Sequence, residues 1–382
     1  MKVLYISDNK VNGIGGGSLG AHKAYSCIKA VCEENGYYFK TLTLDESLPE
    51  RIDFHVNKYK TKKIDMKARL YGHSTFIYFV WKNIKEKLKD FDIVFLGRSR
   101  FGFIAKDIKK YNKSCKIITI FENIEFDYAK AYFSREKNAK KFILTFIEMF
   151  AAKRDEKDCV INSNEFILLT SRDEKRLREL YKKSNNKQTH IIPVCLEKTI
   201  DLKIESDKKT VVFIGSLHYQ ANISSIMWFL SEVWKKHFEF SDIEFIIAGN
   251  RPPKYLKDEI SKYGNVALIE NFDSVVDFVP KNALMIAPIK EGAGMKVKVA
   301  ETLSMGLPIA ASDEALVGYE EVLGEDGIYR ANTADEYKSV IEEYMRMRKE
   351  ECISGIEDRK ELFDKFYTYE RVKKCIVELL IY

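Results

Sequence analysis

The chain has 382 residues, 46% of them hydrophobic and 31% charged, enough for two ordinary cores and too balanced for a disordered polymer. Its seven cysteines include no C-x-x-C pair and its six histidines never fall at H-x-x-x-H spacing, which excludes a disulfide scaffold and a zinc cluster. Net charge is +6 but uneven: residues 1–200 hold 39 basic against 25 acidic groups, a surplus of +14, and the remainder holds 24 against 32, leaving −8. A basic half implies an anionic partner: a membrane surface, a phosphate-bearing acceptor or nucleic acid.

In chain order, MKVLYISDNK opens as a strand, because the apolar run 3–6 is too short for a signal peptide. The glycine loop NGIGGGSLGAHKAY (12–25) follows, with Gly15, Gly16 and Gly17 as a backbone cradle for a phosphate or sugar hydroxyl. Its glycines come too late after the strand for a dinucleotide fingerprint. Further strands are expected at 38–44, 92–97, 116–121 and 166–171. Asp90 and Asp92 form a D-x-D ahead of a strand, a helix-end pattern to which no metal is assigned. The segments 73–91 and 139–157 mix aromatics with lysines, as helices lying on membrane interfaces do and as core helices with a basic face also do. The longest greasy run, 142–152, carries Glu148 and falls short of the roughly 18 residues of a membrane span.

The second half is expected to place strands at 210–216, 244–250, 266–270, 283–288 and 307–312, separated by helical patterns. The rhythm predicts an α/β chain of two parallel-sheet domains with a ligand crevice at the carboxyl ends of the strands. The polar stretch 197–209 is taken as the seam, giving domains 1–198 and 199–365 and a closing helix, 366–382, that packs back on the first domain.

The richest segment is APIKEGAGMKVKVAETLSMGLPIAAS (287–312), a strand running through a glycine turn into a helix. Gly292, Ala293 and Gly294 let the backbone approach an anion, Lys296 and Lys298 suit a diphosphate, and Glu301, one turn on, suits ribose hydroxyls. The same residues also fit a plain βα turn with a solvated i,i+3 ion pair.

The run GAGMKVKVAETLSMGLP resembles the donor-site signature of glycosyltransferase family 4, G-x-G-x-[KR]-x-K-[ILV]-x-E-x-[LM]-[AS]-x-G-x-P, at every fixed position. VVFIGSLHYQANISSIMWFLSEVW (211–234) and IEFIIAGNRPP (243–253) resemble the two strand-and-turn units that precede it in the family. The resemblance implies a GT-B fold of two Rossmann-like domains facing across a cleft, an acceptor-binding first domain and a donor-binding second. Gly215, Ser216, Gly249 and Asn250 would then edge the nucleotide pocket, and Gly16 and Gly17 would cover the donor phosphates. It implies a retaining, metal-independent, hexosyltransferase-type enzyme that uses a UDP-, GDP- or dTDP-linked sugar, no further cofactor, and a glycan or polyprenyl-diphosphate-linked acceptor. Bacterial surface polysaccharide or glycoprotein glycan synthesis, in the cytoplasm at the inner face of the membrane and without nucleic acid, completes that expectation. Two departures stand out. Ala293 occupies the place of the first of two glutamates eight apart, leaving Glu291 as the nearer acid. Glu122 replaces a family histidine in IFENIEFDYAKAYF (120–133), so Glu122, Asn123 and Glu291 are the catalytic candidates, with Glu125 beside them. These departures also fit a catalytically inactive scaffold.

Overall fold

Runs such as KIITIF and TVVFI are rich in β-branched and aromatic residues, which favour strands buried on both faces. In the computed structural model, which describes residues 1–11, 16–135 and 138–381, these runs build two parallel sheets. The chain divides into one unit of Met1–Pro193 with Val372–Tyr382 and a second of Val194–Arg371.

The first unit contains β1 (Lys2–Ile6), β2 (Tyr38–Leu42), β3 (Ile93–Leu96), β4 (Lys116–Phe121), β5 (Glu165–Leu168) and β6 (Gln188–Ile191). They pair in parallel in the order β2-β1-β3-β4-β5-β6, so the direction of winding reverses between β1 and β3. Trp81, Phe95 and Phe101 fill the core beside them, and truncating Trp81 to Ala costs about 3–5 kcal/mol. The helix Ile77–Ile84 turns Ile77, Val80, Trp81 and Ile84 inward, so of the two readings open for 73–91 the core helix holds: its aromatic stripe is core.

The second unit contains β7 (Thr210–Ile214), β8 (Glu244–Gly249), β9 (Val266–Glu270), β10 (Leu284–Ala287), β11 (Ile309–Ala311) and β12 (Ile328–Arg330), in the order β12-β11-β10-β7-β8-β9. This is the doubly wound arrangement of dinucleotide-binding folds, and its winding reverses between β7 and β10. The edge strands β6 and β12 escaped the sequence reading because QTHI and IYR are short and only partly buried.

The boundary falls at 193/194 and not at 198/199, because the polar stretch is tied to the second unit by backbone. Leu196 N–H bonds Tyr367 O at 2.9 Å, Ile200 N–H bonds Ser304 O at 2.8 Å, and Ile204 bridges Pro280. The same Leu196 pairing holds Tyr367, Thr368 and Tyr369 with the second unit, and the closing segment of the first begins at Val372 and not at 366. That segment, the end of the helix Tyr369–Ile381, is fastened to β4 by the Lys116 ammonium on Leu379 O, 3.0 Å, and to the end of the helix Gly16–Glu34 by the Lys373–Glu34 pair. Among the described residues no helix is long and apolar enough to cross a membrane.

Candidate functional site

In a doubly wound sheet the loops at the carboxyl ends splay apart where the winding reverses, leaving a crevice there. In the second unit that place lies between the turn after β7, Gly215–Ser216, and the loop leaving β10, which carries Glu291, Gly292, Ala293 and Gly294 into the helix Val297–Ser304. The turn after β8, Gly249–Asn250, lies next to the first of these.

Lys298 is the centre of this arrangement. Its ammonium donates to Asn222 Oδ1 at 3.0 Å and lies 4.0 Å from the centroid of the Phe213 ring. No described carboxylate forms an ion pair with it, and desolvation lowers its pKa to about 7 despite the opposing attraction of Glu301. Asn222 is fixed in turn, its amide donating to Ser216 O at 3.0 Å.

Two glycines make the approach feasible. A Cβ on Gly215 would stand 3.0 Å from Asn222 Nδ2 and 3.3 Å from Lys298 Nζ, and a Cβ on Gly249 would stand 1.9 Å from Gly215 O. The pocket edge carries an unanswered acceptor, Asn250 Oδ1, buried with no hydrogen-bond partner. Such a group waits for a donor.

Lys296 is engaged differently. It pairs with Glu314 at 2.8 Å and donates to Gly294 O at 2.9 Å, which pins the glycine turn, where Gly294 adopts φ +62°. The Tyr319 hydroxyl then clamps the start of the helix, donating to Lys296 O at 2.7 Å and accepting from Ala300 N–H at 3.1 Å. Glu301 is half-buried one turn beyond Lys298, and Glu291 is half-buried in the loop, next to Lys290, whose ammonium lies 3.5 Å over the Trp228 ring.

The first unit gathers a second set of groups at its own reversal point. Arg98, just after β3, donates to Asp8, just after β1, at 3.4 Å and to Glu125 at 2.6 Å, while its Nε is buried without a partner. Glu122, just after β4, is half-buried and lies against the helix Gly16–Glu34: a Cβ on Gly20 would stand 2.4 Å from its Oε1. Burial pushes the Glu122 carboxyl up to about 7, Arg98 opposing and Glu125 and Asp8 reinforcing the rise. Burial would raise Glu125 as well, but Arg98 and Arg100 overcome it and hold that group at about 2.

Glu125 is therefore a permanent anion fixing two arginines, and Glu156 caps the helix it begins, accepting from Glu125 N–H at 2.8 Å. Asn123 is half-buried beside Glu122. Gly16 and Gly17 start the helix Gly16–Glu34 instead of lying in a loop, and Gly15 lies outside the described residues. Asp92 accepts from Lys2 N–H at 2.7 Å at the opposite, amino, end of the strands.

The sequence reading missed Asn222, Phe213, Tyr319, Asp8 and Arg98. Asp8 and Arg98 each stand two residues beyond a strand end, a signal the carboxyl-end rule makes usable; Asn222, in the first turn after a glycine bend, carries a weaker one. Phe213 and Tyr319 carry none, since buried aromatics look alike in a sequence.

Comparison with known proteins agrees with this geometry. Residues 208–346 match the family described as glycosyl transferases group 1. A Klebsiella pneumoniae protein described as an uncharacterized 44.6 kDa protein in the cps region is 34% identical over 190 residues; the alignment covers 46% of each chain, about half the length of that relative. Sucrose-phosphate synthase from Thermosynechococcus elongatus superposes over 99% of this chain and 98% of its own, with a TM-score of 0.72 at 12% identity. The Anabaena protein HepE, in complex with UDP and glucose, superposes over 100% of this chain and 99% of its own, with a TM-score of 0.62 at 11% identity. At such identities the superpositions establish the fold: a GT-B architecture of two Rossmann-like units, the second carrying the segment similar to group 1 glycosyl transferases.

Proposed function

We propose that this chain is a retaining, metal-independent glycosyltransferase of the family 4 kind. It takes a nucleotide diphosphate sugar in the second unit and passes the hexosyl group to a hydroxyl of a glycan or polyprenyl-diphosphate-linked acceptor. The observation that carries the reading is Lys298, an ammonium held at the winding reversal over Gly215 with no described carboxylate in an ion pair with it. As the glycosidic C–O bond breaks, negative charge gathers on the leaving diphosphate, and a pre-positioned ammonium stabilises that charge more than the ground state.

Asn250 Oδ1 and Glu301 supply acceptors for the base and ribose side of the nucleotide, and Glu291 faces the sugar. Glu122, with a carboxyl that still holds a proton near neutrality, takes the place of the histidine as a hydrogen-bond donor, with Asn123 beside it and Arg98 and Asp8 offering further polyol contacts. UDP is the favoured nucleotide because the Anabaena structure contains it. Surface polysaccharide synthesis on the cytoplasmic side is the favoured setting because the Klebsiella relative is encoded in a cps region.

The test is a thermal-shift screen of UDP, GDP, dTDP, CMP and NAD on the wild type, Lys298→Ala and Glu301→Ala, followed by hydrolysis of the matching nucleotide sugar. One diphosphate should stabilise the wild type and neither variant. Binding without any donor hydrolysis would point to a scaffold, and no binding at all would sink the donor site.

A further inference from the structure

The helix Ala139–Asn162 buries its second half, where Ala151, Ala152, Asp155, Glu156, Cys159 and Val160 face the core. Its first half does the opposite. Phe142, Ile143, Leu144, Phe146 and Phe150 are all exposed, Ile143 to 62%, on more than one side of the helix. Packed beside it, the helix Glu125–Arg135 leaves Tyr128 and Tyr132 out, and the helix Lys62–Leu70 leaves out Leu70 at 70%. A cavity of about 400 Å³ opens among them, walled by Tyr128, Tyr132 and Leu144 and floored by Arg69, Arg100 and Glu148. An apolar face of this breadth does not stay in water unaided.

Charge identifies what covers it. Along these helices the described carboxylates are neutralised: Glu148 is clamped between Arg69 and Arg100, Asp65 bonds Arg69 at 2.8 Å, Asp127 pairs with Arg176, and Asp155 and Glu156 are buried. The exposed Lys130, Lys141, Lys153 and Arg154 pair with no described carboxylate. Half-exposed aromatics ringed by cations match a surface that is apolar inside and anionic at its face. A second copy of the chain would set these same cations against one another.

We propose that this face docks on an anionic phospholipid bilayer, with Phe142, Ile143, Phe146 and Phe150 entering the headgroup boundary and the four cations contacting phosphates. The proposal uses no residue of the donor site, so each reading can fail without the other.

The test is co-sedimentation of the full chain with vesicles of phosphatidylglycerol and phosphatidylethanolamine, against phosphatidylcholine alone, with UDP thermal shift as the check on the donor site. We expect binding to the anionic vesicles only, weakened by salt, and about tenfold less binding for Phe146→Glu with Phe150→Glu. Lys130→Glu with Lys141→Glu, at two exposed positions, should cut binding by a similar factor and keeps the test open if the aromatic variant fails to fold. Absence of vesicle binding, equal binding to phosphatidylcholine, or a dimer that the Phe→Glu changes dissociate without any vesicle binding would each overturn the proposal.

Discussion

Replacing Lys298 by Met should separate what the side chain does for the ligand from what it costs the ligand-free fold. Met keeps the length and loses the charge. A charge-assisted hydrogen bond contributes about 1.5–3 kcal/mol, so loss of the ammonium should weaken UDP binding roughly 10- to 100-fold. At a hundredfold excess over Kd, UDP should stabilise the wild type by about 2.7 kcal/mol, a rise in Tm of roughly 5–10 °C for a unit of this size, and most of that rise should vanish in the variant.

Without ligand the sign reverses. Desolvation lowers the Lys298 pKa from 10.5 to about 7, so between those values the unfolded chain binds a proton that the fold does not, and stability rises with pH through that window. Lys298→Met removes that slope: at pH 7 the ligand-free variant should melt above the wild type, with the gap closing toward pH 10. Titration calorimetry at pH 8 in buffers of different ionisation enthalpy should show UDP binding coupled to proton uptake in the wild type and none in the variant. An unchanged UDP shift in the variant, or no proton uptake in the wild type, would refute the reasoning.

Gly249→Ala drives a methyl to 1.9 Å from Gly215 O; it should cost about 1–3 kcal/mol in urea unfolding, whereas Gly264→Ala, with open space around it, should not. Tyr319→Phe removes both hydrogen bonds that clamp the helix start; a loss of about 1–3 kcal/mol and weaker UDP binding should be seen together in denaturation and calorimetry. Glu122 titrates at about 7 against 4.5 in the unfolded chain, so the fold holds a proton there that the unfolded chain loses, and stability falls as pH rises from 4.5 to 7. Glu122→Gln should flatten that part of the Tm–pH curve, leaving the share due to Glu156, which also titrates at about 7; an unaltered curve would show that Glu122 does not hold its proton as described.

The second unit was the more legible in the sequence. Its strands are short uniform runs, the first two leading into Gly215 and Gly249, and the segment from Gly292 to Glu301 fixes a turn, a helix start and a charge within ten positions, so spacing alone outlines the chemistry. The first unit was readable as a sheet but not as a site. Arg98, Arg100 and Glu125 are ordinary charges in the sequence; only the folding of β3, β4 and the Ala139–Asn162 helix onto one another makes a chain of ion pairs of them. Lys296 shows the same limit from the other side: the sequence places it two positions from Lys298, and only the fold shows that it also holds Glu314 and the turn carbonyl of Gly294. Likewise 73–91 and 139–157 have similar composition, and which aromatic stripe ends up inside depends on neighbours distant in the chain.

The way the chain leaves the first unit at Pro193 and returns at Val372 bears on how the protein is made. Residues 194–371 form one unbroken stretch that a ribosome can release ready to fold, whereas the sheet that contains β1 waits for residues 372–382 before the Lys116 and Glu34 side chains find their partners. The unit that precedes in the chain is thus finished after the one that follows it, and a stop codon near position 372 would injure a sheet whose strands were all translated before residue 194.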